Sequence, residues 1–276
     1  MWRILPGAAP KMITLVTALS GSGKSLVTGL IANEQRKLQR KVLYGAWETD
    51  GPLTAELIAT ADLGWSKYKL STGQLSEDEL ATFERRLCEI MAWVRFWKFP
   101  WERSSSATRP KTNDEVLDRI HGYIADSGAD VVIFDLWRRC LVDRRIDAEE
   151  AALERMQDMA KDCCAHFILC HQQRLKDVEL RRDRRPTREG IKGTSMWVDV
   201  ADTILGIHLP SLWKPVPANV LEIDVLKQRF GRWPIAVEFD YSPDSGTIAN
   251  ASEVDYNPPG TGEREDGLAA WVKGKD

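Results

Sequence analysis

The chain alternates between two hydrophobic periods. From Met12 to Leu19 the residues are almost continuously apolar, which predicts a strand buried on both faces. Ser20, Gly21, Ser22 and Gly23 break that run, and Lys24 to Arg40 follows with helical spacing. A second strand is expected over Val42 to Trp47. It ends at Glu48, Thr49, Asp50 and Gly51, turn residues that precede a helical stretch from Leu53 to Ala61. A longer helix is expected over Glu77 to Trp93, then a strand over Val94 to Phe99 and a polar loop over 103–112. The same rhythm continues as helix 113–127, strand Asp130 to Asp135, helix 147–165 and strand His166 to Cys170. Strands separated by helices imply a parallel sheet with helical crossovers. Three closely spaced strands follow an Arg-rich loop, around Thr203 to Leu209, Leu221 to Lys227 and Ile235 to Tyr241, and read as an antiparallel extension at the C-terminal edge. The fold class is therefore α/β, a mainly parallel central sheet flanked by helices. From Asp244 the sequence is rich in Pro, Gly and acidic residues, so residues 1–243 are expected to form the domain and 244–276 a flexible acidic tail.

Composition narrows the possibilities. With 38 basic and 41 acidic residues, the net charge of −3 argues against a surface that coats nucleic acid everywhere, so any DNA contact must be local. A chain of 276 residues buries a large core without disulfides or a structural metal. Cys88, Cys140, Cys163, Cys164 and Cys170 form no CxxC pair and have no His at zinc-ligand spacing, as in a reduced, cytoplasmic chain. No apolar run approaches the roughly 20 residues of a membrane span, and the N-terminus lacks a signal layout, so a soluble protein is expected. The 11 tryptophans read chiefly as core.

The break after the first strand carries chemistry. Residues 18–25, Ala-Leu-Ser-Gly-Ser-Gly-Lys-Ser, match a phosphate-binding P-loop between strand and helix, with Ala18 where the pattern has its first glycine. Backbone N–H groups around Gly21, Ser22 and Gly23 would face the phosphates of ATP. Lys24 would reach the β- and γ-phosphates, and Ser25 would hold Mg²⁺ together with Asp135, which closes the Val-Val-Ile-Phe-Asp strand. An aspartate at a strand end can equally cap a helix. Hydrolysis also needs a group that orients the attacking water. Glu48, at the end of the second strand, is the candidate, with Asp50 as the competing carboxylate. His171, with Gln172 beside it, ends the fifth strand where a polar group could contact the γ-phosphate. Between His171 and Lys192 the cations Arg174, Lys176, Arg181, Arg182, Arg184, Arg185, Arg188 and Lys192 outnumber the acids, which suits the phosphates of a single DNA strand and equally suits a solvated loop. Arg138, Arg139, Arg144 and Arg145 offer a second contact loop.

Together these motifs resemble the RecA-like ATPase domain of DnaB-type replicative DNA helicases, most of all the helicase half of phage primase-helicases and Twinkle. The resemblance runs from about Met12 to Tyr241. It rests on the P-loop, Trp47-Glu48, the strand ending at Asp135 and the Ile-Leu-Cys-His-Gln run to Gln172. Arg185-Pro186 leading to Ile191–Ser195, the Val200–Ile204 strand entry and Leu226–Gly231 complete it. It implies a RecA-like P-loop NTPase in which Glu48 is the catalytic base, His171 the γ-phosphate sensor, and the loop before Gly193 a DNA-binding loop. It also gives Lys227 and Arg229 a role that their exposed edge-strand setting would not suggest: reaching the ATP of the adjacent subunit, with Arg229 as arginine finger. The resemblance further implies a homo-oligomeric ring, usually a hexamer, on single-stranded DNA, with a separate primase or DNA polymerase among its partners. Eleven residues precede the first strand, so the family's N-terminal domain and linker helix are not expected here. That departure keeps a second reading open, a non-unwinding, DNA-stimulated ATPase that loads or regulates replication or recombination proteins. A small-molecule kinase would leave the Lys-x-Arg pair unexplained, and no acceptor site or lid motif is evident.

Overall fold

The computed structural model describes residues 9–98, 109–181, 183–213, 219–231 and 234–254. The apolar run becomes β1 (Ile13–Ala18), buried at every position because strands flank it on both sides and helices cover both faces. Next come α1 (Lys24–Lys37), β2 (Val42–Ala46), α2 (Gly51–Leu63), α3 (Lys67–Ser71), α4 (Glu77–Trp93) and β3 (Val94–Trp97). The chain continues as α5 (Asn113–Ser127), β4 (Val131–Asp135), α6 (Ile146–Asp162), β5 (His166–Gln172), α7 (Leu175–Glu179) and α8 (Met196–Val200). It ends in β6 (Thr203–His208), β7 (Val220–Gln228), β8 (Ile235–Tyr241) and β9 (Ile248–Val254). The described residues form one sheet of nine strands in the order β3-β2-β4-β5-β1-β6-β7-β8-β9. β1 to β6 pair in parallel, and β7, β8 and β9 extend the edge antiparallel. The extension is as expected for β7 and β8, but β6, expected within it, joins the parallel sheet beside β1, and β9 is a strand beyond those expected.

Two apolar layers sandwich the sheet. One packs α1, α2 and α4 through Val27, Ile31, Ile58, Phe83 and Ile90. The other packs α5, α6 and α8 through Leu117, Ile120, Leu153, Met156 and Trp197. Sequence-local signals set the helix ends. Ser76 and Glu79 form a reciprocal capping box on α4, and Thr112 caps α5. Trp97 is buried, 5.4 Å from the Trp47 ring and stacked on Tyr123 at 4.8 Å, so this part of the aromatic segment is core around the added strand. Trp101 lies outside the described residues.

The structure corrects the expected boundary of the tail. β9 pairs with β8 from Ile248 to Val254, so the sheet continues beyond residue 243, and the remainder of the expected tail, 255–276, lies outside the described residues. Five of the seven β9 residues are exposed, and that polarity hides the strand from a search for apolar runs. The helices α3, α7 and α8, each five residues long, are likewise too short to display helical periodicity. All five cysteines are free thiols. Among the described residues no helix is long and apolar enough to cross a membrane.

Candidate nucleotide site and the loops around it

The parallel strands bring their C-terminal ends to one rim of the sheet, the usual place for a ligand in an open α/β fold. After β1 the backbone turns through Gly21 and Gly23, whose φ values of 77° and 87° lie in the left-handed region. A side chain there costs roughly 1–2 kcal/mol. Around Gly21 there is open space, so backbone conformation and not crowding calls for glycine. Ala18 ends β1 fully buried, and its carbonyl accepts the Gln173 N–H at 3.0 Å. It has no positive φ, so the strand geometry accepts alanine where the P-loop pattern has glycine. Ser22 is buried and its N–H donates to the Leu19 carbonyl. Lys24 folds over the loop, its ammonium 2.8 Å from the Leu19 carbonyl and 3.4 Å from that of Ala18. Burial lowers its pKa, against the opposing pull of Cys170, Glu48 and Asp135.

Asp135 ends β4 on the same side. Burial pushes its carboxyl pKa up, while the nearby hydroxyls of Ser25 and Tyr44 hold it down. The Tyr44 hydroxyl donates to Oδ2 at 3.1 Å, whereas the buried Oδ1 has no hydrogen-bond partner. A buried carboxylate oxygen left unpaired is costly unless a cation completes it. Ser25 and Asp135 together offer the hard oxygen donors that Mg²⁺ takes alongside phosphates and water, so these residues fit the metal. Among the described residues no group of three or more His, Cys, Asp or Glu could hold a metal ion.

The two competing carboxylates separate clearly. The N–H groups of Trp47 and Glu48 both donate to the Asp135 carbonyl, at 2.7 and 3.2 Å, which fastens the end of β2 to that of β4. Glu48 is exposed, and its charge acts on Lys24. Asp50 pairs at 2.5 Å with Lys98, which follows β3 at the edge of the sheet.

His171 is placed differently from its expected role. Side chains alternate along a strand. Cys170 shares the face of Lys24 and Asp135, so His171 turns to the opposite face. It is buried there, 4.5 Å from the Trp197 ring and with Nε2 3.6 Å from Glu149 Oε1. Burial lowers its pKa, partly offset by Glu149. Gln172 returns to the P-loop face and lines a cavity of about 580 Å³ together with Leu19, Ser20, Arg174, Lys192 and Trp213.

The cationic loop divides into exposed and committed residues. Arg174 donates to the Gly193 carbonyl at 2.9 Å, Arg181 pairs with Asp183 at 2.6 Å, and Arg184 lies 5.1 Å over the Trp213 ring. Arg188 is near Glu189 at 3.9 Å, and Lys192 is exposed. Arg185 departs from the expected DNA contact: it is bound to Glu222 at 2.6 Å and Asp224 at 2.5 Å, anchoring the loop to β7. Arg182 lies outside the described residues. A second cavity, of about 250 Å³, collects Arg138, Arg139, Arg144, His171, Gln172 and Lys192, so both arginine loops meet at the ends of β4 and β5.

Lys227 and Arg229 extend from the end of β7. Arg229 is half exposed and pairs with Asp202 at 2.9 Å. Lys227 does not point outward as expected of an edge-strand charge. Its ammonium caps the end of α8, 2.5 Å from the Val198 carbonyl and 2.7 Å from that of Ala201.

Sequence reasoning missed two buried polar residues. Tyr44 sits inside an apolar strand, where an aromatic reads as core. Glu149 is one acid among several at the start of α6, yet it is fully buried, 3.0 Å from Arg138 and accepting the Trp197 indole N–H at 3.3 Å. Neither leaves a cue in the periodicity.

No protein-family model matches the sequence, and no curated protein matches it significantly. Solved structures do. A solved ATPase domain superposes with a TM-score of 0.73 over 87% of this chain and 84% of its own, at 15% identity. A DnaB-like replicative helicase, solved in a study of its interactions with primase, gives a TM-score of 0.73 over 88% of this chain at 14% identity. The present chain spans 58% of that helicase's length. With the P-loop after β1, an aspartate ending β4 and this strand order, the chain has the RecA-like fold of DnaB-type helicase ATPase domains.

Proposed function

We propose that this protein hydrolyses ATP with Mg²⁺ and uses the energy as a phage-type, ring-forming DNA helicase that moves along single-stranded DNA. The observation that carries the reading is the gathering of Lys24, Ser25, Asp135 and Glu48 at one rim, beside two arginine-bearing loops. Lys24 and the loop amides bind the β- and γ-phosphates, and Ser25 and Asp135 hold the metal. Bound Mg²⁺ neutralises phosphate charge. Glu48 orients a water molecule and accepts its proton as the water oxygen bonds to the γ-phosphorus. The bond from that phosphorus to the bridging oxygen breaks, and ADP leaves with the electron pair. Gln172, on the P-loop face, is better placed than His171 to sense the γ-phosphate. Arg174, Arg181, Arg184, Arg188 and Lys192 contact the DNA backbone, giving salt-dependent and sequence-tolerant binding.

In this reading Arg229 exchanges Asp202 for the phosphates of a neighbouring subunit, so hydrolysis depends on a ring, typically a hexamer. Lys227 fixes the end of β7 from within its own subunit. A cytoplasmic setting and a separate primase or polymerase partner follow from the helicase role. Mixing two inactive variants tests it. Glu48→Ala and Arg229→Ala should each lose ATP hydrolysis, and the mixture should recover part of it, because some interfaces regain one intact Glu48 and one intact Arg229. Full activity of Arg229→Ala alone would refute a shared site, and failure of DNA to stimulate hydrolysis would refute the motor reading.

A further inference from the structure

The most completely buried polar contact at the nucleotide site involves a residue that the proposed mechanism does not use. Tyr44 lies in the middle of β2 with no measurable exposure, packed 5.6 Å from the Phe96 ring. Its hydroxyl is 2.8 Å from Thr28 Oγ1 in α1 and 3.1 Å from Asp135 Oδ2 in β4. A phenol has one hydrogen to give and lone pairs to accept with. A carboxylate can only accept, so Tyr44 gives its one hydrogen to Asp135, and these contacts link α1 through β2 to β4. Thr28 lies one helical turn beyond Lys24, and its hydroxyl donates to the Lys24 carbonyl at 3.0 Å, so the contacts begin at the base of the P-loop helix.

This contact engages one carboxylate oxygen and leaves the other without a hydrogen bond. Oδ1 is buried without a hydrogen-bond partner, and Ser25 and Lys24 lie close enough to the carboxyl to act on it. A carboxylate held by one oxygen cannot swing freely about its last torsion, which is broad for aspartate. We propose that Tyr44 is a positioning residue for the metal: it clamps Asp135 by Oδ2, so that Oδ1 is presented towards the cation that Ser25 also binds. The inference rests on the ATPase reading of the site and assigns to it a residue outside the P-loop motif. It also accounts for a phenol in an otherwise apolar strand, since phenylalanine would fill the same space without the hydroxyl.

Tyr44→Phe removes only that oxygen. Thermal melting without nucleotide reports whether the variant folds. Binding of a fluorescent ADP analogue, titrated with and without Mg²⁺, reports the metal separately from turnover. Metal-free binding is expected to equal wild type, whereas the Mg²⁺ concentration for half-maximal enhancement should rise roughly tenfold, the scale of one lost hydrogen bond to a charged group. Thr28→Val, which removes only the outer hydroxyl, should raise it less. An unchanged Mg²⁺ requirement in a folded Tyr44→Phe protein would overturn the proposal. If wild type itself bound nucleotide without any Mg²⁺ response, the ATPase reading would fail, and this inference with it.

Discussion

Arg185 is the residue for which sequence and structure predict opposite experiments. As a DNA contact its loss would weaken binding and leave the fold intact. As observed, it is one-fifth exposed and compensates two carboxylates of β7, Asp224 at 1% exposure and Glu222 at 12%. Removing one partner of a buried ion pair costs about 3–5 kcal/mol because the other charge is stranded. The cost here depends on pH. Burial lifts the Asp224 pKa to about 7 despite the opposing Arg185, with Glu222 adding to the rise. The folded state therefore binds a proton that the unfolded chain releases near its usual value of 3.8. This contribution is fully present below that value and is lost as pH rises to about 7. In Arg185→Ala the folded pKa should rise further, so Asp224 stays protonated at pH 6 and the loss there is limited to about 1–2 kcal/mol. Each pH unit above about 7 adds up to about 1.4 kcal/mol, so at pH 8 the loss should be about 2.5–3.5 kcal/mol. Urea denaturation followed by tryptophan fluorescence at both pH values measures this, with Lys192→Ala as an exposed control expected within about 0.5 kcal/mol of wild type. A loss below about 0.5 kcal/mol at both pH values, together with weakened DNA binding, would refute the anchoring role.

Three further predictions follow from local geometry. Gly193 has φ of 101°, and a Cβ there would lie 2.8 Å from Glu149 Oε2, so Gly193→Ala should lower unfolding free energy by about 2–4 kcal/mol and be visible in a urea titration. Trp97→Ala removes a buried indole between Trp47 and Tyr123, and should cost about 3–5 kcal/mol by the same titration; an unchanged midpoint would mean the ring has a role other than packing. Asp224→Asn keeps the acceptor for Arg185 but removes the ionisation, so its melting temperature should fall less than that of wild type between pH 5 and 7.5.

Much of the architecture was legible because burial on both faces forces long apolar strands, and helices must separate parallel ones. β1, β4, α1, α2, α4 and α5 stand within a few residues of their expected positions. The turn at Gly21 and Gly23 between β1 and α1 was legible for a different reason, since its left-handed backbone calls for glycine at set positions. What failed was side-chain direction. A one-residue step along β5 decides whether His171 or Gln172 faces the P-loop, and motif spacing alone does not show which way an irregular strand end turns. Charge counting failed for Arg185 because its partners, the β7 carboxylates, are distant in sequence, and the exposed edge-strand setting read for Lys227 missed the backbone carbonyls at the end of α8. Glu149 and Tyr44 escaped because a buried polar residue resembles its exposed or apolar counterpart until the fold encloses it.

The most direct test of the central claim is the rate of ATP hydrolysis by wild type and Lys24→Ala, with and without single-stranded DNA, at matched Mg²⁺. The account predicts Mg²⁺-dependent turnover in wild type that DNA accelerates, and a loss of about a hundredfold or more in the variant, since electrostatic stabilisation of the transferred phosphoryl group is removed. Equal rates in the two proteins, or a wild-type rate that DNA leaves unchanged, would contradict it.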